Sequence, residues 1–523
     1  VELTIGNALT RQAARDPDRT ALVYQDREIT FAELDQAANV VANALRRRGV
    51  RHGDFVAVCT RNRVEHVQLY YATARLGAIL APLNFWLRDD EIRWTVEQIH
   101  PKILVLGDEW QHLLGARDAL AAQRIIVLDC EVTDAPRTEP WTALVADADA
   151  APPTVEVDER EVHILFWTSG TTGASKGVLK TQRGHTLNAF QYALALGLNE
   201  DDRGLCAFPL FNVGGYESTF TKYVHLGGSV VLLPKFDAGD VLTAIGRHGI
   251  TTMLANPTHF RLLLDHPAAA TTDFSSLRRV EIGGMVAPEK LLRDVAEVFG
   301  IGMDGLFHIY GQTEGPPLIA TLRGTDALQK LGSIGKAVPG VDLRLMDEAG
   351  SLLPRGGTGE IVVRSGDVMH SYLNNPETTA ETIGDGWLHT GDLARQDEDG
   401  YLYIVGRTKD MIRSGGQSVF PSDVEKCLGD HPAIKDVAVI GTPDPTGKWG
   451  ELVTAVLVLD PTRPRPSEED LQAYVRQRIA GYKVPKRFEY LDELPRTASQ
   501  KVAKADLRQM FGSVFLVGDA VRE

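Results

Sequence analysis

A Ser/Thr/Gly tract, Thr168-Ser169-Gly170-Thr171-Thr172-Gly173-Ala174-Ser175-Lys176-Gly177, follows directly on the apolar run Ile164-Leu165-Phe166-Trp167. A short apolar run ending in such a cluster predicts a buried strand that opens into a tight loop. Small side chains leave backbone N–H groups uncovered, the glycines reach conformations closed to other residues, and Lys176 adds positive charge at the far edge. These are the parts of a phosphate cradle. A Walker loop requires glycine immediately before its lysine and Ser or Thr immediately after it, whereas Ser175 and Gly177 flank Lys176 here. A flexible linker would account for the glycines and hydroxyls but not for the strand in front of them.

With 523 residues the chain exceeds what one hydrophobic core usually supports, which predicts two or more domains. The net charge of −15 excludes a general nucleic-acid binder and still allows a local basic pocket for an anionic ligand. Cys59, Cys130, Cys206 and Cys427 lie far apart and form neither a disulfide framework nor a thiolate metal site. His185, His225, His248, His259, His308 and His370 likewise lack metal-ligand spacing. No basic region followed by an apolar run opens the sequence, and apolar runs elsewhere are strand-sized, as in Ala78 to Leu83. The expectation is a soluble, cytoplasmic protein without a transmembrane segment.

Strand anchors are Ile103-Leu104-Val105-Leu106, Ile125-Ile126-Val127-Leu128 and Val230-Val231-Leu232-Leu233, and helical spacing runs through Ala37 to Arg48 and Val64 to Leu76. This alternation predicts a layered α/β fold. Between Gly335 and Tyr403 short β-type segments separated by Gly, Pro and Asp turns predict a β-rich subdomain within a large domain, residues 1–408. A smaller α+β domain, residues 409–523, is expected beyond a boundary near Arg407 to Asp410, with a loop at Asp460 to Pro466.

Three further segments carry chemistry. In Tyr310-Gly311-Gln312-Thr313-Glu314, preceded by Phe307-His308-Ile309, an aromatic can cover a flat base, a hydroxyl can bond an oxyanion and a carboxylate can hold a hard cation. In Gly386 to Leu393, Asp392 can accept from two ribose hydroxyls, with the Arg407 guanidinium available to sugar or phosphate. The stretch Leu494 to Lys501 ends in a cation, with Lys504 and Arg508 beyond it.

Taken in order, the tract 168–177, Tyr310 to Glu314, Gly391-Asp392, Gly406-Arg407, Ser414-Gly415-Gly416 and Pro495 to Lys501 resemble the adenylate-forming superfamily of acyl- and aryl-CoA synthetases, adenylation domains and beetle luciferases. The resemblance extends from about Thr10 to Arg508 and is closest to the acyl-CoA synthetases. It implies a multi-lobe N-terminal domain, a mobile C-terminal domain and two half-reactions. A carboxylate first attacks the α-phosphorus of ATP to give acyl-AMP and pyrophosphate, and a thiol then takes the acyl group.

Carried over residue by residue, the resemblance places Thr168, Ser169, Gly170, Thr171, Thr172, Gly173 and Lys176 on the phosphates, with Tyr310 stacked on adenine and Gly283-Gly284 allowing close backbone approach. It puts Asp392 and Arg407 on the ribose, Thr313 on the α-phosphate or carboxylate, Glu314 on Mg2+, and Lys501 on the carboxylate and α-phosphate oxygens. Lys409 takes the interdomain hinge, and Gly415-Gly416 the segment used in thioester formation. ATP and Mg2+ are the implied cofactors, with CoA as co-substrate.

Three residues depart from the family pattern: Ser175 where proline is commonest, Gln500 where glycine is usual, and Asn212 where an aromatic residue or histidine commonly screens the acyl channel. Asn212 is also well suited to a plain turn before Gly214-Gly215. With Phe211, Val213, Gly214, Met285, His308 and Ile309 it is expected to frame a pocket for an uncharged acid, medium-to-long or branched and alicyclic groups first. A loader of carrier-protein thiols, a luciferase-like oxidative enzyme and a non-enzymatic nucleotide-binding module remain alternatives. Oligomeric state, pathway and the choice of aliphatic over aromatic acid are not encoded in these motifs.

Overall fold

The computed structural model describes residues 2–129, 137–168, 175–285, 287–496 and 502–512. Its chain divides into two compact units. The first holds the residues up to Thr168, Lys176–Leu343 and Val362–Thr390, and the second holds Arg344–Ile361 and the described residues from Gly391 onward.

Two large sheets organise the first unit. In the nine-stranded sheet six strands run parallel, in the order Leu306–Tyr310, Arg279–Gly283, Thr252–Ala255, Arg203–Cys206, Ser229–Leu232, Thr20–Tyr24. Antiparallel strands close both edges. The eight-stranded sheet is parallel through Val162–Thr168, Ile79–Pro82, Phe55–Cys59, Ile103–Leu106, Ile125–Val127 and Thr138–Pro140. Parallel strands of this kind are buried on both faces and read as continuous apolar runs, which is why they were visible in the sequence.

The helices between them begin and stop where side chains dictate. Phe31–Arg47 starts on a capping box in which Thr30 and Glu33 satisfy each other's backbone N–H, and Val64–Leu76 stops at Gly77 with φ 62°. Phe31, Leu34, Val41 and Leu45 of the first helix and Val67, Tyr70 and Tyr71 of the second enter one buried core with Phe166, Tyr192 and Tyr216.

A five-stranded sheet joins Asp342–Met346, Thr358–Arg364, Trp387–Gln396 and Ile383–Gly384, with Leu402–Arg407 paired to Trp387–Gln396. In the second unit Ile434–Pro443 and Glu451–Leu459 form an antiparallel pair, and Arg487–Tyr490 runs parallel to Glu451–Leu459. Val424 and Leu428 of helix Pro421–Gly429 and Leu471 and Val475 of helix Glu468–Arg476 cover that sheet. The α/β class with a smaller α+β part is what the sequence predicted. Among the described residues no helix is long and apolar enough to cross a membrane.

Candidate functional site

Strand Val162–Thr168 and strand Lys176–Thr181 are antiparallel neighbours, with Trp167 opposite Gly177 and Thr168 opposite Lys176. The strands on either side of the tract are thus the arms of a β-hairpin, whereas a Walker loop is followed by a helix. Ser169, Gly170, Thr171, Thr172 and Gly173 lie outside the described residues. Thr168 Oγ1 donates to Lys176 O at 3.3 Å, and a Cβ on Gly177 would lie 2.7 Å from Leu165 Cδ1, so glycine lets the leucine keep its place.

Lys176 leads to a residue the sequence reading missed. Its ammonium lies 5.0 Å from the centre of the Tyr372 ring, and the Tyr372 hydroxyl donates to Glu314 Oε1 at 3.0 Å. Burial, then the Glu314 charge, pushes the Tyr372 hydroxyl up, so it stays protonated and serves as a fixed donor. Tyr372 reaches this place because Ser371–Tyr372 pairs antiparallel with Leu179 and Val178 of the hairpin's second strand. Nothing in the sequence around Tyr372 marks it, since its partner is 58 residues away.

Tyr310 ends strand Leu306–Tyr310, and Gly283 ends the adjacent parallel strand, opposite Ile309. Tyr310 and Gly283-Gly284 thus share the carboxyl edge of a parallel sheet, the usual place for a ligand. Gly284 has φ 84° and open space where a Cβ would stand. The 311–315 loop turns sharply: a Cβ on Gly311 would meet Pro317 O at 2.2 Å, and Gln312 Nε2 donates to Thr390 O at 2.9 Å. Thr313 and Glu314 are half-buried on this loop.

Beneath the loop lies a buried charge cluster. Lys180 Nζ is 3.0 Å from Glu217 Oε2, from Asp367 Oδ1 and from Gly315 O. Burial pushes the Glu217 and Asp367 carboxyls up against the pull of Lys180. His185 is held neutral by burial, with Nε2 3.1 Å from Glu217 Oε1 and Nδ1 3.0 Å from the Tyr70 hydroxyl. The one available signal was Lys180 itself, which sits at an inward position of an apolar strand, in step with Val178.

Asn212 caps the short helix Val213–Tyr216 by accepting from Gly215 N at 3.0 Å, so its side chain has a turn-forming role. Val213 is partly buried against the core, and Gly214 stands 3.2 Å, measured from its would-be Cβ, from Asn212 Oδ1. His308 Nε2 donates to Met285 O at 3.1 Å, and burial lowers its pKa, leaving a neutral imidazole. Ile309 packs into the core on the opposite face of the same strand.

In the second unit Asp392 and Arg407 face each other across an antiparallel pair, with Arg407 Nε 3.0 Å from Asp392 Oδ1. Gly391 N donates to Glu360 Oε1 at 2.8 Å. Lys409 lies on the single 3₁₀ turn Thr408–Asp410. Gly415 and Gly416, at φ 59° and 76°, form the two-residue turn between Ile412–Ser414 and Gln417–Val419. A Cβ on Gly415 would lie 2.6 Å from Trp449 Cε3. Lys501 lies outside the described residues, between Arg496 and Val502, which pair as an antiparallel bridge.

The donor set suits magnesium. Among the described residues no three His, Cys, Asp or Glu side chains gather as a metal cage, and Glu314 presents a single carboxylate. Magnesium is commonly held by one or two carboxylates together with substrate phosphates and water.

The family model for AMP-binding enzymes matches residues 9–373, and that for the AMP-binding enzyme C-terminal domain matches 423–501. Indoleacetate–CoA ligase of Aromatoleum aromaticum is 38% identical over 507 residues, covering 96% of this chain and 97% of that protein. The crystal structure of an anthranilate CoA ligase with anthranoyl-AMP superposes with a TM-score of 0.85 at 29% identity, covering 98% of both chains. The o-succinylbenzoate–CoA synthetase of Bacillus subtilis, with ATP and magnesium, superposes with a TM-score of 0.82 at 33% identity, covering 96% of this chain and 99% of that one.

Proposed function

The chain belongs to the AMP-binding enzyme family and is an ATP- and magnesium-dependent, AMP-forming acid–CoA ligase, and we propose that its acid is aromatic, an arylcarboxylate or arylalkanoate. The observation that carries the site is the relay Lys176–Tyr372–Glu314, which sets a cation and an oriented carboxylate side by side at the end of the phosphate tract.

The chemistry needs two stages because a carboxylate has no good leaving group and repels an anionic thiolate. Converting it to a mixed anhydride with AMP removes both obstacles, provided the charge building on the α-phosphorus is compensated. We assign Lys176 and the backbone of the tract to the β- and γ-phosphates, Thr313 to the α-phosphate or the acid, and Lys501 to the α-phosphate oxygens. Magnesium on Glu314 would neutralise phosphate charge as a Lewis acid. Tyr372 aims that carboxylate by donating to it. Tyr310 is assigned to adenine, Gly283-Gly284 to close approach of nucleotide and acid, and Asp392 with Arg407 to the ribose. Lys409 and Gly415-Gly416 are assigned to the change of conformation that admits CoA.

The aromatic preference departs from the medium-to-long, branched or alicyclic acyl group expected first from the sequence. Relatives along the whole chain act on indoleacetate, anthranilate and o-succinylbenzoate. The residues assigned to the acid fit such a ring: Val213 and Met285 are apolar, Asn212 is uncharged, and His308 is neutral and already bonded to Met285 O. None of them supplies a counter-ion for an amino acid's ammonium.

A carboxylate panel with ATP, magnesium and CoA, read by mass spectrometry for both acyl-AMP and acyl-CoA, tests the proposal. Aryl and arylalkanoic acids are expected to outperform aliphatic acids of equal carbon number. Preference for a linear fatty acid, acetate or an α-amino acid overturns the substrate assignment. Acyl-AMP that forms and passes to a carrier protein but not to CoA would overturn the acceptor.

A further inference from the structure

We propose that Lys180 is a positioning residue for Glu314: from inside the core its ammonium fixes the carbonyl of Gly315 and thereby the orientation of the Glu314 carboxylate that would hold magnesium. The inference rests on the assignment of Glu314 above.

The Lys180 ammonium donates to Glu217 Oε2 and to the Gly315 carbonyl, each at 3.0 Å, and stands as an ion pair 3.0 Å from Asp367 Oδ1. The side chain is 1% exposed, so water does not compete for these positions. Gly315 directly follows Glu314. The segment containing Asp367 then returns to the same loop twice. Met369 N donates to Glu314 O at 2.8 Å, and the Tyr372 hydroxyl donates to Glu314 Oε1 at 3.0 Å. Glu314 is therefore held on its carboxylate by Tyr372, on its own carbonyl by Met369, and on the next carbonyl by Lys180. Two of these restraints come from one segment, and Lys180 anchors that segment through Asp367.

Lys180 also reaches the pocket side. Glu217 opens the π-helical turn Glu217–Thr221, which continues from the helix capped by Asn212, and Asn188 Nδ2 holds the Glu217 carbonyl at 3.0 Å. Such turns are rare and gather at functional sites. One buried cation thus connects the turn assigned to the acid with the loop assigned to the metal.

Stability alone does not explain the cluster, because replacing a buried ion pair with apolar residues is often neutral or favourable. The same unit contains an internal control. Lys222 and Glu281 form an equally buried pair, with Lys222 4.1 Å from the centre of the Tyr192 ring, and neither residue bonds the 310–315 loop. Removing Lys222 perturbs the core to a similar degree and leaves Glu314 alone.

The experiment uses the full chain and two readouts. Calorimetry of ATP binding without acid, in magnesium and in chelator, gives the gain in affinity that magnesium confers. Hydrogen exchange of the metal-free protein gives the protection of the amides of residues 311–315 and 318. Lys180→Met is expected to lose about tenfold of the magnesium gain, with affinity in chelator nearly unchanged, as for one charge-assisted hydrogen bond. It is also expected to lose protection in that loop. Lys222→Met should change neither. The K180M/E217Q/D367N variant, which strands neither buried carboxylate, should behave like K180M and serves if the single variant does not fold. A magnesium gain and loop protection that stay at wild-type values in K180M or in the triple variant, while Glu314→Gln loses the gain, overturn the role of Lys180. If Glu314→Gln also keeps the gain, the assignment of Glu314 fails and the inference with it.

Discussion

In the first unit the carboxylate assigned to the metal is fixed from behind by side chains that water does not reach, whereas in the second unit the groups assigned to the ribose and to the thioester step stand on a partly exposed ion pair and on turns. Glu314 is restrained by Tyr372, Met369 and, through Gly315, Lys180. Arg407, by contrast, is 45% exposed, and Gly415-Gly416 are the whole of a hairpin turn. Groups that must meet developing charge without reorganising belong on the first kind of support, and groups that must change place belong on the second.

Lys501→Ala is expected to have the largest effect. Adenylation should fall by about 10²–10³-fold, as when one transition-state donor is removed, while supplied acyl-AMP reacts with CoA within a few-fold of normal. Rapid-quench assays of each half-reaction measure this. An equal loss in both would erase the division of labour between the two kinds of support.

Lys409→Pro should reverse the pattern. Proline fixes φ and disfavours the helical region at Thr408, which restricts the 3₁₀ turn Thr408–Asp410. Thioester formation is expected to fall by about tenfold or more beyond any loss in adenylation. Normal thioester formation at unchanged melting temperature would remove Lys409 from the conformational step.

Tyr372→Phe tests the rigid support with a single atom. Losing the donor to Glu314 Oε1 should lower kcat/KM for MgATP by about five- to tenfold and leave the reaction of supplied acyl-AMP untouched. Unchanged MgATP kinetics would mean that the carboxylate is aimed without its hydroxyl partner.

These supports were legible to different degrees in the sequence. The tract 168–177 and the strand in front of it could be read because small residues and an apolar run have local meaning. Gly415-Gly416 was singled out through the family resemblance alone, and its turn, with positive φ at both glycines, came from the structure. Asn212 was read both as a channel residue and as a turn former, and the structure gives it a cap. Tyr372, Glu217 and Asp367 had no local signal, because each acquires its role from strands and helices far off in the chain. Tyr372 arrives by pairing with Val178, and Asp367 fits against helix Gln182–Leu196 because Gly184 leaves room for its carboxylate. Lys180 was readable only as an anomaly, a charge at an inward strand position.

The smallest expected effect again separates the two supports, through protonation. Lys409 is exposed overall, yet loss of water around its ammonium, and then the like charges of Arg407 and Arg508, lowers it from 10.5 to about 8, against the pull of Asp410 and Asp392. Between those two values the unfolded chain keeps a proton that the folded chain has released. Stability therefore rises with pH through that window, and below about pH 8, where both states are charged, the full cost of the cation is present. Lys409→Met removes that cost and should raise Tm at pH 7 by about 1–2 °C, less than the nominal shift because solvent screens an exposed group. Its advantage should shrink toward pH 10, where the native lysine is already neutral when folded. Calorimetric scans at the two pH values decide it: an identical difference at both would show that Lys409 is not electrostatically disfavoured, and that the second unit's turn gains no freedom from it.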